Sequence, residues 1–382
     1  MAIYTKVQER KAPSSSKGVI PWIRENLFST PLNVALTLLG VMVLFMIIPP
    51  FVKWAYINAD FAGSTREDCV SGGACWVFVR MKIDMFMYGF YPSELRWRIN
   101  TVYALFFVLI AAFKYLKNPW AKITLAHIYF IVGFFLVYGG FFGVDIGQRW
   151  FDISIVYNDP GLFGLSIVPT DKWGGLMLTI VVAAVGIISA FPLGVLLAMG
   201  RQSNLPIIKS VSVTYIEFIR GVPLITILFM SSIILPLFFP EGVTFDKLLR
   251  ALIGIALFES AYIAENIRGG FQSIPKGQYE AADAIGFSYW QKMFLIILPQ
   301  ALKVAIPNLV GVSIALFQDT TLVLIIGLFD LLAMVRLSAA DSYWLGYETE
   351  GYVFVTFIFW IFCYSMSNFS QKLEKRFNTN LR

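Results

Sequence analysis

Long apolar runs separated by short polar joints set the architecture of this chain. Crossing a bilayer takes about 20 apolar residues in a helix, because only helices and closed barrels satisfy their own backbone polar groups there. Five runs reach about that length without an internal Asp, Glu, Lys or Arg: 26–52, 123–144, 173–200, 221–240 and 351–371. Three more are shorter or carry a charge: 99–113, 251–267 with Glu259 inside it, and 302–328 with Asp319 inside it. The pattern predicts an all-α integral membrane protein of eight spanning helices. Two parts are expected. Residues 1–164 hold three spans and a polar, aromatic-rich loop at 58–98, and the Asn158-Asp159-Pro160-Gly161 turn cluster marks the junction with 165–382, which holds five spans.

The longest polar interruption of the second part is ENIRGGFQSIPKGQYEAADAIGFSYWQKMFLIILP, from Glu265 to Pro299. Arg268-Gly269-Gly270 reads as the end of a helix, with a cation at its C-terminus and glycines free to adopt the left-handed turn. Ser273 and Pro275 read as the start of a new short helix. Glu280-Ala281-Ala282 opens a second helical stretch whose small residues admit another surface, and Gly286 stops it. Ser288-Tyr289-Trp290 offers a cap and aromatic contact area, and Pro299 restarts the membrane helix. A solvated loop without a partner would have the same composition.

Composition narrows the class. With 58% hydrophobic, 16% aromatic and 14% charged residues, the chain has too little polar surface for a soluble globule. The net charge of +6 sits in the flanks of the spans and gives no reason to invoke nucleic acid. Lys6, Arg10, Lys11, Lys17 and Arg24 at the head, Lys114, Lys117 and Lys122 after the second span, and Lys372, Lys375, Arg376 and Arg382 in the tail all belong to the cytoplasmic side under an eight-span count. Both termini are therefore expected in the cytoplasm. The segment 58–98 runs against the rule, since it would lie outside while carrying Arg66, Arg80, Lys82, Arg96 and Arg98. The first apolar run is longer than a signal-peptide core of about 7 to 15 residues, which predicts a retained anchor.

Cysteine and histidine exclude more than they suggest. Cys363 falls inside the last span, whereas Cys69 and Cys75 fall in the expected external loop, where either a local disulfide or two free thiols would fit. The sole histidine, His127, has no cluster around it, so no metal site is expected. Nothing resembles a nucleophile–base pair, so a membrane enzyme is not expected. A channel or scaffold remains an alternative from the span count, although no span shows the polar stripe or charged ring of a channel.

Ionisable residues at membrane depth are costly and face a bundle interior. Glu259 precedes Arg268 by nine positions, or about 13 Å at the helical rise, which puts it near mid-membrane. Asp319 follows Lys303 by sixteen positions, about 24 Å, and would lie further out. For both, pathway and structural roles are open. Glu217 and Arg220 are three apart on one helical face and are expected to neutralise each other beside the Gly221-Val222-Pro223 break.

Glu280-Ala281-Ala282, Gly286 and Ile297-Leu298-Pro299 match, in order and spacing, the EAA motif of the permease subunits of bacterial ABC importers. ESAYIAENIRGGFQSIPKGQ before it, Glu217-Phe218-Ile219-Arg220-Gly221-Val222-Pro223-Leu224, and Asp319-Thr320-Thr321-Leu322 resemble the polar amino-acid branch of that family, over about 165–372. GACW at 73–76 and FYPSELRWR at 90–98 resemble the longer permeases of general L-amino-acid uptake. The resemblance implies an ABC type I importer core in the last five spans, with the Glu280 segment a coupling helix seated in a groove of a cytoplasmic ATPase dimer. It makes Glu280 the charge that meets a basic residue there, Ala281 and Ala282 the close-contact positions, and Gly286 the turn that fits the groove.

It further implies a homologous permease subunit, a periplasmic solute-binding protein, an amino-acid substrate, and a multi-pass place in the bacterial inner membrane. The chain has no Gly-x-x-x-x-Gly-Lys-Ser/Thr loop, so ATP with magnesium would be bound by the partner and not by this non-catalytic subunit. The substrate path implied by the resemblance runs past Glu259, Gln318, Asp319, Thr320 and Thr321, after a kink expected at Pro307. Two departures remove charge from it: Gln318 stands where many relatives have Lys, and Gly311-Val312 where basic-amino-acid permeases have Asn-Glu.

Overall fold

The computed structural model describes residues 18–139, 145–146, 165–240 and 243–378. Its internal contacts divide into two compact units, Met1–Val77 and Phe78–Arg382. The 158–161 turn cluster, the head residues Lys6, Arg10, Lys11 and Lys17, and Arg382 lie outside the described residues.

In the first unit, α1 (Val19–Asn26) precedes α2 (Pro31–Val52). Thr30 starts α2 by accepting a bond from the Asn33 amide at 3.1 Å, and Pro31 sits where its missing N–H costs nothing. At Pro49-Pro50 two donors disappear from the ladder, and the helix passes into a π turn at Lys53–Ile57. No residue of α2 is buried, as suits a helix that is apolar on every side and meets lipid. The following loop closes on itself. Cys69 and Cys75 are joined in a disulfide with Cα atoms 5.5 Å apart, and Trp76 donates through Nε1 to the Ala55 carbonyl at 2.7 Å. Asp68 accepts from the Ser64 and Thr65 amides, bonds that hold its carboxyl below the usual range.

From α3 (Trp76–Tyr88) onward the described residues are mostly helical: α4 (Arg96–Tyr115), α5 (Pro119–Tyr138), α6 (Gly175–Arg201), α7 (Pro206–Arg220), α8 (Leu224–Phe229), α9 (Lys247–Gln272), α10 (Lys276–Ala284), α11 (Tyr289–Gln291), α12 (Leu298–Asp319), α13 (Leu331–Ala339) and α14 (Glu348–Asn378). A two-stranded antiparallel ladder pairs β1 (Asp145–Ile146) with β2 (Val243–Thr244). Among the described residues six helical stretches are long and apolar enough to span: Pro31–Ile57, Ser93–Tyr115, Trp120–Tyr138, Gly175–Arg201, Tyr289–Ile326 and Glu348–Lys375. A seventh is a bent pair, Pro206–Arg220 with Leu224–Phe238, turned through 104°. The eighth expected stretch is α9, which is long enough but carries Glu259, Glu265 and Arg268, and it is buried along most of its length against α6 and α12.

The 221–240 stretch is thus not one straight span. Gly221-Val222-Pro223 interrupts the helix, because Pro223 lacks the amide that would continue the ladder, and beyond Phe229 the chain tightens through π and 3₁₀ turns.

Two apolar clusters hold the second unit. One joins Tyr91, Ile99, Val137 and Tyr138 to Leu178 and Val182 of α6, Ile255 of α9 and Leu316 of α12. The other joins Ala198 and Met199 of α6, Ile216 of α7, Ile267 and Phe271 of α9, Met293 and Ile297 on the approach to α12, and Ala301 within it. Because α4 and α5 share the first cluster with the later helices, they belong to the same compact unit as α6 to α14. Arg98, 3% exposed, donates to the Ser166 carbonyl at 2.7 Å and so pins α4 to the approach to α6.

The polar loop at 58–98 contains a docked helix. Phe78 and Phe86 of α3 are fully buried, with ring centroids 5.6 Å from Trp344 and 5.7 Å from Phe354, and Lys82 bridges to Asp341 at 2.8 Å. That Lys82 bond, together with the Tyr343 amide, holds the Asp341 carboxyl below its usual range.

Candidate functional site

The polar segment forms an α9–α10–α11 corner. α9 does not stop at Arg268-Gly269-Gly270; it runs on to Gln272. Gly270 serves close packing there, since a Cβ at that position would collide with the Ala301 carbonyl of α12. The glycine signal was real and its cause was a neighbour, not a turn. α10 is a single helix, Lys276–Ala284, so Glu280-Ala281-Ala282 lies inside it and does not open a second one.

Within α10 the three motif residues part company. Ala282 is 1% exposed, whereas Glu280 and Ala281 face outward, and among the described residues Glu280 takes part in no salt bridge. The helix ends at Gly286, whose φ of +79° lies in the left-handed region that L side chains avoid. Ser288 then caps the next turn: its hydroxyl accepts from the Gln291 amide while Gln291 returns a bond to the Ser288 amide, a reciprocal capping box. Around the corner Ile285 at 66% and Trp290 at 59% exposure form an uncovered apolar patch, with Trp290 stacked on Phe294 at 5.8 Å. Exposed apolar side chains and an outward carboxylate on one corner have the makeup of an anchor site for another protein. Lys292 bonds the exposed Asp283 at 2.5 Å and braces the corner across α10 and the start of the next helix.

The membrane helix restarts earlier than Pro299. It begins at Tyr289 under the Ser288 cap, passes through a π stretch at Lys292–Ile297 and continues as α12. Pro299 stands just past the π stretch, where the ladder is already re-registered and a missing donor is tolerated.

Glu217 and Arg220 do not neutralise each other. The Glu217 carboxylate accepts from Arg201 at 2.8 Å, while Arg220 lies 3.7 Å from Glu265 and its guanidinium carbon sits 5.6 Å from the centroid of the Tyr262 ring. Spacing on one helix put both on the same side, but longer-range partners from α6 and α9 outcompete the local one.

Glu259 is 3% exposed on the buried flank of α9, within electrostatic reach of Asp319. Asp319 closes α12, which tightens to a 3₁₀ turn at Thr320–Ile326. The Thr320 hydroxyl donates to the Phe317 carbonyl at 2.8 Å and that of Thr321 to the Gln318 carbonyl at 3.0 Å, leaving their acceptor lone pairs unspent on the helix. Pro307 sits inside α12, which stays helical through it. One face of α12 is exposed at Asn308, Gly311, Ala315 and Gln318, spaced three and four apart. This small and polar stripe is not the surface a helix shows to lipid. Sequence reasoning passed over Asn308 and Ala315; their helical spacing with Gln318 was the available signal.

A solved structure described as an amino acid ABC transporter with histidines overlaps 53% of this chain and 92% of its own at 28% identity, with a TM-score of 0.47. The chain is 50% identical to the inner membrane amino-acid ABC transporter permease protein YhdY of Escherichia coli (strain K12), over 97% of itself and 96% of that protein. It is 38% identical to the glutamate/glutamine/aspartate/asparagine transport system permease protein BztC of Rhodobacter capsulatus, over 98% of itself and 97% of that protein. Residues 190–379 match the family described as binding-protein-dependent transport system inner membrane component. With full-length relatives and the corner carrying Glu280 and Gly286, the chain belongs to the permease subunits of ABC importers, multi-pass inner-membrane components of binding-protein-dependent transport systems.

Proposed function

We propose that this chain forms half of the translocation path of an ATP-driven amino-acid importer and receives its mechanical input through the Glu280–Gly286 corner. The observation that carries the reading is that corner: an outward Glu280 and the exposed Ile285 and Trp290, on a helix whose Ala282 is buried and whose turn is fixed by Gly286. A contact of this kind transmits work only if its strength differs between two global states, and ATP-driven closure of a partner ATPase dimer supplies those states. ATP and magnesium belong to that partner. The amino-acid substrate is supported by the names of the two full-length relatives.

The uncovered stripe Asn308, Gly311, Ala315 and Gln318 supports a second, homologous permease facing this one, with substrate delivered from a periplasmic binding protein passing between them. Asp319 and Thr321 then supply acceptors for an ammonium group and Gln318 a donor for a carboxylate, with the buried Glu259 and Thr320 behind them. The five spans expected from residue 165 onward, which lie within α6 to α14, act as the translocating core, braced by α4 and α5. The Cys69–Cys75 disulfide supports a periplasmic loop after α2, in an oxidising compartment, and hence cytoplasmic termini and a cytoplasmic α10.

The test is binding-protein-dependent ATPase activity of the assembled transporter in proteoliposomes, comparing wild type with Glu280→Ala and Gly286→Trp. Loss of stimulation in both, with assembly intact, is the expected result; unchanged stimulation would remove the corner from the mechanism.

A further inference from the structure

The α10 corner is part of one connection, α9 to α12, yet transport requires α6 and α7 to move as well. The apolar cluster beneath them, Met199, Ile216, Ile267 and Met293, is non-directional and lets helices slide. Charged hydrogen bonds are directional and fix register. On the last two turns of α9, Glu265 takes Arg268 of its own helix at 2.5 Å, Arg201 from the end of α6 at 3.3 Å, and Arg220 from the end of α7 at 3.7 Å. Arg201 divides itself between Glu265 and Glu217. Among the described residues Glu265 is the one carboxylate on which cations from three helices converge. Immediately beyond Arg220 the chain turns through 104° into the α8 stretch, so whatever fixes Arg220 fixes the near arm of that bend.

We propose that Glu265 is a positioning residue that locks the ends of α6, α7 and α9 into one body, so that motion of the coupling corner reaches all three helices. This rests on the coupling role of that corner. Without the joint, the corner still engages the ATPase and stimulated hydrolysis persists, but the helices no longer follow and hydrolysis becomes unproductive. The signature is a fall in substrate moved per ATP, which a merely folding role does not produce.

The experiment reconstitutes the full transporter with its ATPase and binding protein, loads a radiolabelled mixture of the common L-amino acids, and measures uptake and phosphate release together. Glu265→Gln keeps the shape and removes the charge. It is expected to retain stimulated ATPase within about two-fold while uptake per ATP falls at least about five-fold, the low end of coupling factors between sites. A wild-type ratio in assembled Glu265→Gln overturns the proposal. Should that variant fail to assemble, the decision passes to Arg220→Gln, which keeps Glu265 and removes the cation α7 brings to it: a ratio lowered at least about five-fold supports the joint, and a wild-type ratio overturns it. Glu280→Ala in parallel separates the two readings. If it too leaves stimulation intact the coupling corner itself is wrong, whereas its loss beside an unaffected Glu265→Gln removes only the joint.

Discussion

Gly270 and Gly286 stand sixteen positions apart and are glycine for opposite reasons. Gly286 has open space around it and a backbone of positive φ; Gly270 has ordinary helical backbone and the Ala301 carbonyl against it. Gly270→Val is therefore expected to destabilise the α9–α12 contact by about 1–3 kcal/mol, the usual cost of overpacking, seen as a lower melting temperature of the detergent-solubilised chain. Gly286→Ala strains the turn by about 1–2 kcal/mol without touching a neighbour. A melting temperature unchanged in Gly270→Val would refute the close approach. At this scale the sequence was legible where the cause is local. The Ser288 cap and the Gly286 turn are each decided within a few residues, whereas the pairing of Cys69 with Cys75 is open in the sequence and is decided by the loop's closure. It was illegible where partners come from afar, as for Glu217 and Arg220, which turn to Arg201 and Glu265 on other helices.

Elements were readable in proportion to their apolar length. The runs at 26–52, 173–200 and 351–371 coincide closely with helices, since nothing but a helix accommodates such runs in lipid. Misread elements are those whose geometry depends on what they pack against. α7 lies on the far side of a 104° break and shows an amphipathic pattern in place of an apolar run. α3 has no visible period because Val77, Phe78, Val79 and Phe86 are buried on more than one side. Its docking is testable: Phe86→Ala empties the contact with Phe78 and Phe354 and is expected to cost about 3–5 kcal/mol, measured by thermal unfolding. A cost below about 1 kcal/mol would mean that α3 is not part of the core of the second unit.

For the molecule as a whole, the arrangement joins two requirements that pull against each other. In the proposed function the translocation path needs uncovered polar surface at membrane depth, and the face of α12 exposed at Asn308, Gly311, Ala315 and Gln318 is the surface assigned to it. Force transmission needs rigid connection, found in the apolar cluster from Met199 to Ala301 and in the charges converging on Glu265. The proposed coupling at the Glu280 corner assigns the second requirement to an outside partner and leaves the first to α12. Proximity tests this most directly. With Cys363→Ser removing the free thiol and the Cys69–Cys75 disulfide kept, cysteine replaces Glu280, and cross-linking to the ATPase subunit is compared between nucleotide-free and ATP-trapped transporter, with Ser342→Cys as the control on the opposite end. The account predicts a cross-link from position 280 whose yield changes with nucleotide, and none from position 342. Absence of any cross-link from position 280 in an assembled, ATP-hydrolysing complex would contradict it.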